Sequence, residues 1–311
     1  MRFFDDQNRP DCSQTRVLIV SSHEQFDDQT QPLAVIVNIF VVDDGWFGER
    51  YHDHAGLGDW WVNPHKFPSG LGAFIAEAKR LGMKFGIWVE PEMVNPDSDL
   101  YRAHPDWVYH FSGRVCTQIR NQLMLNLARP DVASYIFDAL DRLLGVHAID
   151  FVKWDFNRSI TEPGWPDAPL EVQREIYVRH VQAFYQIVER LRDKYPSVLW
   201  EVCASGGGRA DLGAFRYFDQ CWTSDNTDPF DRFLIQEGYS HAYAPKTMMA
   251  WVSNSPQSAE INNRILDITY RFHSAMTGSL GLGEDLHRYS EEEMELVANS
   301  ESRIYANNPD A

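Results

Sequence analysis

The sequence has few cysteines and few cations for its length. Its 311 residues include only four cysteines, Cys12, Cys116, Cys203 and Cys221, and no two of them form a C-x-x-C pair. Such scatter argues against a disulfide framework and favours a reducing compartment. With 28 basic against 45 acidic residues, the formal net charge is −17. A field of that sign repels nucleic acid and anionic membranes, so we expect neither as a partner.

Long apolar runs are lacking as well. The longest one, Pro32 to Val42, contains Asn38 and is too short to cross a bilayer. The acidic first residues contain no apolar segment of signal-peptide length. A repeat, a low-complexity run or a Gly/Ser linker is also missing from the sequence. We therefore expect a single domain and a cytoplasmic location.

Short β-rich runs alternate with helical patterns along almost the whole chain. The strand candidates are Arg16–Val20, Ile36–Asp43, Lys84–Val89, Phe151–Asp155, Leu199–Cys203, Gln220–Thr223, Met248–Ser253 and Ser279–Gly283. Helical periodicity marks Leu71–Leu81, Val132–Leu144, Leu170–Lys194, Phe230–His241, Ile261–Met276 and Glu291–Tyr305. Eight strands separated by helices predict an α/β fold, a (β/α)8 TIM barrel. Residues 1–35 form an atypical N-terminal segment that includes a candidate first strand, and residues 36–311 supply the rest of the barrel.

Carboxylates recur where the predicted strands end. Asp43, Asp44, Glu90, Asp155 and Asp225 all lie at or just past the C-terminal end of a strand. One such Asp is most simply a helix cap or a turn residue, but recurrence on four strands strains that interpretation. Active sites of (β/α)8 barrels are built at this rim. The sequence therefore predicts an active site there.

Two of these carboxylates are suited to complementary tasks. Asp155 lies between Lys153 and Asn157, a cation and an amide that keep it ionised as a nucleophile requires, although a buried ion pair would use similar residues. Asp225 lies in a hydroxyl-rich loop, where on its own it would pass for a helix cap. Together they match two-carboxylate glycoside hydrolysis, which requires neither a metal nor an organic cofactor.

Two other segments invite different interpretations. Cys203–Arg209 contains three consecutive glycines but lacks the G-K-[ST] ending of a P-loop and the G-x-G-x-x-G spacing. Glycines after a strand instead indicate a backbone that approaches a ligand closely. His52-Asp53-His54 has no further ligand set at recognisable spacing, so we predict a solvated loop and no metal site.

Taken in order, these segments resemble glycoside hydrolase family 36, whose best-known members are α-galactosidases. The matching segments are Val41–Gly48, Leu57–Trp60, Phe85–Glu92, His104–Trp107, Asn121–Leu123, Lys153–Asn157, Cys203–Arg209 and Thr223–Asp228. The resemblance extends from about residue 36 to about residue 290. The sequence departs from the family pattern in lacking the usual flanking β-domains and in an abbreviated first helix. Ser21–Gln25 stands where the family has a tryptophan-containing motif.

The resemblance implies a retaining α-galactosidase with Asp155 as nucleophile and Asp225 as acid/base. It implies sugar contacts at eight further positions: Asp43 and Asp44 at the galactose 4- and 6-hydroxyls, Trp88 as a pocket wall, Arg120 and Lys153 at other hydroxyls, and Asn157, Cys203 and Gly206 around the 2-hydroxyl. The implied substrates are terminal α-1,6-linked galactosides such as melibiose and raffinose. No cofactor is implied, and assembly into a homo-oligomer is left open. Galactosyl transfer of the raffinose-synthase type and a truncated, inactive sugar-binding remnant remain the alternatives.

Overall fold

The computed structural model describes residues 17–20, 38–253, 264, 266–283 and 289–297, and in 17–20 the backbone only. Most of the atypical N-terminal segment, including its abbreviated first helix, lies outside the described residues. So do parts of the two helices expected in 261–276 and 291–305. Among the described residues, no helix is both long and apolar enough to cross a membrane.

Ten strands are described. They are β1 Val17–Val20, β2 Ile39–Val42, β3 Lys84–Val89, β4 Met93–Val94, β5 Leu123–Met124, β6 Phe151–Trp154, β7 Leu199–Val202, β8 Gln220–Trp222, β9 Met248–Val252 and β10 Ser279–Leu282. β4 and β5 form a small antiparallel pair, and the other eight are hydrogen-bonded in the order β1-β10-β9-β8-β7-β6-β3-β2. From β2 through β10, neighbouring strands of this main sheet are parallel. They form a curled, TIM-like sheet with its carboxyl ends at one rim.

β1 departs from the expected topology. It forms at the predicted position but pairs antiparallel with both β10 and β2, with Ile19 opposite Leu282 and Phe40. Because every strand of a (β/α)8 barrel is parallel, the prediction of β1 as the first β/α unit is wrong in direction. Its carboxyl end lies at the opposite edge from those of the seven parallel strands, and its amino end, at Val17 opposite Val42, lies at their rim.

The helices pack outside the curled sheet. They are α1 Gly70–Arg80, α2 Asp99–Ala103, α3 Pro130–Val146, α4 Leu170–Gln173, α5 Ile176–Lys194, α6 Pro229–Ser240 and α7 Ile268–Ala275, followed by a helix at 291–297; short 3-10 turns occupy Pro105–Trp107, Ala214–Arg216 and Pro245–Thr247. Their starts follow cap chemistry: Pro130 opens α3, and Asp228 caps α6 by accepting from the amides of Phe230 and Asp231. The helix expected over Leu170–Lys194 is divided into α4 and α5.

Side-chain alternation separates two cores. Phe40 and Val42 of β2 join the large cluster between sheet and helices, whereas Ile39 and Val41 pack inside the curled sheet. Space inside is tight: a Cβ on Gly86 of β3 would lie 2.8 Å from Val41 Cγ2. This close packing holds the strand ends, and the side chains that follow them, in fixed relative positions.

Candidate active site

Asp155 lies directly after β6, where the chain leaves the curled sheet, and it is buried at 7% exposure. Its Oδ2 accepts hydrogen bonds from Asn157 Nδ2 at 2.7 Å and from Trp88 Nε1 at 3.1 Å. Its Oδ1 accepts from the Phe156 amide at 2.7 Å. Donors on both oxygens fix the orientation of this carboxylate.

Lys153 lies two residues earlier, on β6. Its Nζ donates to Asp43 Oδ2 at 3.1 Å, and both side chains are largely buried. Burial opposes the charge, but nearby acidic groups, Asp43 foremost, outweigh it and raise the pKa of Lys153 above its ordinary value. The ammonium also lies 5.6 Å from the ring centroid of Trp222 and 5.3 Å from that of Trp251. Lys153 is therefore a positive charge at the base of the site.

Asp43 and Asp44 follow β2, and each has its own cation. Asp44 accepts from Arg50 Nε at 3.0 Å and from Arg50 Nη2 at 2.8 Å. Arg50 is 5% exposed and is anchored by the Ala55 carbonyl and by Asn95 Oδ1. Lys153 and Arg50 thus hold two adjacent carboxylates in fixed orientations as hydrogen-bond acceptors.

Asp225 lies beyond β8, in the loop that leads to α6, and its side chain is exposed. Trp222 Nε1 donates to its Oδ1 at 2.9 Å. The loop is held by Arg232 of α6, which is 1% exposed and donates to Thr223 Oγ1 at 2.5 Å and to the Ser224 carbonyl at 2.8 Å. Unlike the buried Asp155, Asp225 has access to solvent, as a group that exchanges protons with water must have.

A continuous set of contacts connects the two carboxylates. Lys153 interacts electrostatically with Asp155 and lies over the Trp222 ring, whose indole nitrogen binds Asp225. The same ammonium binds Asp43. The structure thus brings together four residues that the sequence predicted from three different strand ends.

The glycine-rich loop after β7 closes one side of Asp155. Cys203 is 2% exposed and its thiol hydrogen-bonds Asp155; burial first, and then the Asp155 charge, raise the pKa of the thiol well above its ordinary value. Ser205 Oγ donates to Asn157 Oδ1 at 3.0 Å. Both contacts fix groups that touch the Asp155 carboxylate, so this loop supports the site rather than a phosphate.

Gly206 sits at a position that excludes a side chain. Its φ is +91°, and a Cβ would lie 2.8 Å from Ser224 Cα. The next residue, Gly207, donates its amide to the Thr223 carbonyl at 3.0 Å. Glycine therefore lets this loop pack directly against the segment that carries Asp225. Its predicted role at a sugar 2-hydroxyl stays a prediction.

Glu90 follows β3 and is 1% exposed. It accepts from the Asn157 amide at 2.7 Å and from Gln122 Nε2 at 3.0 Å. Burial, and then the charge of Asp155, raise its pKa well above the ordinary value. Arg120, in contrast, is exposed at φ +54°, and its contribution here is electrostatic, opposing the rise in the Glu90 pKa.

Glu92, two residues further on, has the opposite character. It is fully buried, and it accepts from Arg209 Nη1 and Nη2 at 2.6 and 2.7 Å, with His180 Nε2 2.7 Å away. Trp154 Nε1 donates to it at 2.8 Å. Burial alone would raise the pKa of Glu92, but Arg209 and then His180 lower it to about 2. This anion ties the segment after β3 to β6 and to the glycine-rich loop.

The loop of His52, Asp53 and His54, predicted to be solvated, is exposed. His54 Nε2 and Asp53 Oδ1 lie 3.2 Å apart in an exposed loop with His52. Across the described part of the chain, no group of three or more His, Cys, Asp or Glu side chains could hold a metal ion. Arg209, the cation of the glycine-rich loop, is already bound by Glu92.

Sequence reasoning missed four supporting residues, namely Arg50, Glu201, Trp222 and Arg232. Alternation along β8 could have placed Trp222 inside the curled sheet, and alternation along β7 could have done the same for Glu201. Arg232 and Arg50 carried no such signal, because they reach the site from a helix and a loop. Their roles depend on tertiary contacts.

This chain is similar to known proteins over most of its length. The Melibiase family model matches residues 21–307. Alpha-galactosidase AgaA of Geobacillus stearothermophilus is 42% identical over 261 residues, which cover 84% of this chain and 36% of that protein. Alpha-galactosidase C of Emericella nidulans is 45% identical over 277 residues, covering 85% of this chain and 35% of that protein.

Solved structures agree with these relatives. The crystal structure of the GH36 alpha-galactosidase AgaA matches with a TM-score of 0.85 at 40% identity, over 88% of this chain and 38% of that one. Variants of AgaA have been crystallised with raffinose and with stachyose. The chain spans little more than a third of the length of the curated relatives it matches.

Proposed function

The chain belongs to the Melibiase family, within glycoside hydrolase family 36, and on that premise we propose that it is a retaining α-galactosidase. Its substrates would be terminal α-1,6-linked galactosides such as melibiose and raffinose. The scaffold would be a (β/α)8-type barrel in which β1 takes the eighth place in reversed direction. A cytoplasmic location and a homo-oligomeric state stay predictions.

The contrast between the two carboxylates carries this proposal. Asp155 is buried, and both of its oxygens are bonded, by Trp88, Asn157 and the Phe156 amide. Such a group suits attack on the anomeric carbon to form a β-galactosyl ester. Asp225 is exposed, and it would protonate the leaving oxygen, then remove a proton from the water that attacks the ester.

The paired acceptors Asp43 and Asp44 support selection of galactose. An axial 4-hydroxyl and a 6-hydroxyl can each donate to a carboxylate held in place by its own cation, Lys153 or Arg50. A sugar with an equatorial 4-hydroxyl would leave one of these carboxylates without its hydroxyl donor, which is costly in a partly desolvated site. The galactose hydroxyls would therefore donate to two carboxylates that cations already hold in place.

Azide rescue of two alanine variants tests the roles of the carboxylates. Asp155→Ala should lose turnover of every galactoside, and azide should restore at most formation of the β-azide, by direct attack on the substrate. Asp225→Ala should still attack an activated aryl galactoside, stall at the ester, and give the α-azide when azide is added. Exposed Asp167 provides a matched control, because its alanine variant should keep wild-type turnover.

Product analysis by NMR decides between the outcomes. The opposite pair of azides would reverse the two roles. Oligosaccharide products at high raffinose, in place of free galactose, would favour transfer over hydrolysis. Binding of galactose without turnover of any aryl α-galactoside would identify a sugar-binding remnant instead.

A further inference from the structure

Glu201 is a fully buried carboxylate that the proposed reaction does not use. It lies on β7, directly opposite Lys153 of β6 in the parallel register. Neighbouring residues in register point to the same side of a sheet, so both side chains project inside the curled sheet. Glu201 Oε2 accepts from Gln220 Nε2 at 2.6 Å, whereas Oε1 has no hydrogen-bond partner among the described residues.

The charged surroundings of Glu201 come from several elements. Lys153 on β6 favours its ionised form, whereas Asp43 after β2 and Asp155 after β6 disfavour it. Cys221 of β8 and Arg232 of α6 also interact with it electrostatically. Burial is the dominant influence, and together these groups raise the pKa of Glu201 to about 7.

We propose that Glu201 is a positioning residue that acts through Lys153 and makes sugar binding depend on pH. This proposal rests on the proposed function, in which Lys153 holds Asp43 in place as the acceptor of a sugar hydroxyl. While Glu201 is neutral, Lys153 Nζ stays with Asp43, at the 3.1 Å observed. When Glu201 ionises, its unpartnered Oε1 competes for the same ammonium and draws it inward, away from Asp43 and the sugar.

Charge and position explain why ionised Glu201 would compete with Asp43 for the Lys153 ammonium. An ionised carboxylate with an empty acceptor position inside a protein is unfavourable unless a cation pairs with it. Lys153 lies opposite Glu201 and has a long unbranched side chain with a single bonded carboxylate among the described residues, Asp43, whereas Arg232 is held by Thr223 and Ser224. Lys153 is therefore the cation that can respond.

Isosteric replacement separates charge from packing. Glu201→Gln preserves shape and remains neutral at every pH, so it should mimic the protonated residue. With an activated aryl α-galactoside, whose leaving group needs no protonation, the wild-type kcat/KM should fall above about pH 7. The variant should stay within about twofold of wild type at pH 6 and keep that value to about pH 8.5. Exposed Glu77→Gln controls for loss of one negative charge and should follow wild type.

Two outcomes overturn the proposal. An unchanged alkaline fall in Glu201→Gln would show that another group causes it. A folded Glu201→Gln that is inactive at pH 6 would show that the charge of Glu201 is required, contrary to the neutral role.

A second measurement needs no turnover and so separates this proposal from the proposed function. The infrared carboxyl band that disappears in Glu201→Gln reports the protonation of Glu201 directly. Lys153→Met should shift its titration to higher pH, because a cation is lost, and Asp43→Asn should shift it to lower pH, because an anion is lost. Shifts of opposite sign would establish the coupling even in an inactive chain. A titration that neither variant moves would overturn it.

Discussion

The buried ion pair between Glu92 and Arg209 allows the sharpest stability prediction. Arg209→Met keeps an apolar stem but removes both hydrogen bonds to Glu92 and the stacking of the guanidinium on Phe156 and Phe184. Glu92, at 0% exposure, would then keep only His180 and the Trp154 indole as partners. Its negative charge would be left largely uncompensated in the interior.

The size of the effect follows from two independent arguments. Removal of one partner of a buried pair costs about 3–5 kcal/mol. A pKa of about 2 for Glu92 in the folded protein, against an ordinary 4.5, corresponds to about 3 kcal/mol of stabilisation by its surroundings. Since the folded pKa is depressed, this stabilisation is present above about pH 4.5 and disappears as the pH falls through about 2.

Urea unfolding at pH 7 and at pH 3 is the assay. We expect Arg209→Met to lower the free energy of unfolding at pH 7 by about 3–5 kcal/mol and by less at pH 3. The double variant Glu92→Gln/Arg209→Met should recover at least about 1 kcal/mol, since it leaves no buried charge. Arg80→Met is the matched control: its pair with Glu77 also has two hydrogen bonds but is exposed, so its loss should barely change stability. Equal losses in Arg209→Met and Arg80→Met would refute the reasoning.

Three further predictions concern other parts of the site. Gly206→Ala and Gly113→Ala both place alanine at positive φ, but only the Cβ at position 206 would lie 2.8 Å from Ser224 Cα. Gly206→Ala should therefore lower the free energy of unfolding by about 1 kcal/mol or more beyond Gly113→Ala. Equal losses would show that the glycine-rich loop can move away from the segment of Ser224 without cost. Asp44→Asn should fold normally but reduce kcat/KM for aryl α-galactosides at least about tenfold, because a charged acceptor contributes about 1.5–3 kcal/mol; unchanged kcat/KM would confine Asp44 to its bond with Arg50. Burial raises the folded pKa of Glu201 to about 7, so wild type should lose about 3 kcal/mol of stability as the pH rises from 4.5 through 7, and urea unfolding of Glu201→Gln should lack that loss.

Strand positions were largely readable from the sequence, because short apolar runs bounded by turn residues have few alternatives. β3 matches its predicted bounds, and β6 through β10 differ from theirs by one residue at the carboxyl end. The direction of β1 was not readable. A four-residue apolar run has the same pattern in either direction, and only its neighbours decide how it pairs.

In the site, too, contacts between residues close in sequence could be predicted, whereas contacts between distant segments could not. Asp155 and its partner Asn157 are close in sequence, so their association could be anticipated from spacing alone. The opposite direction of the pKa shifts of Glu90 and Glu92, two residues apart, could not. It depends on Arg209 and His180, which arrive from distant segments and bind only one of the two carboxylates.

The pair of tryptophans around Lys153 has a spectroscopic consequence. Trp222 and Trp251 have ring centroids 4.0 Å apart at 40°, close enough for their electronic transitions to couple, and an ammonium lies within 6 Å of both. Their near-ultraviolet circular dichroism should therefore contain a coupled signal from this pair. Because Trp222 Nε1 also donates to Asp225, ligand binding at that carboxylate would change the wavelength and the intensity of this circular dichroism signal. The inside of the curled sheet thus contains its own optical probe, which needs no label.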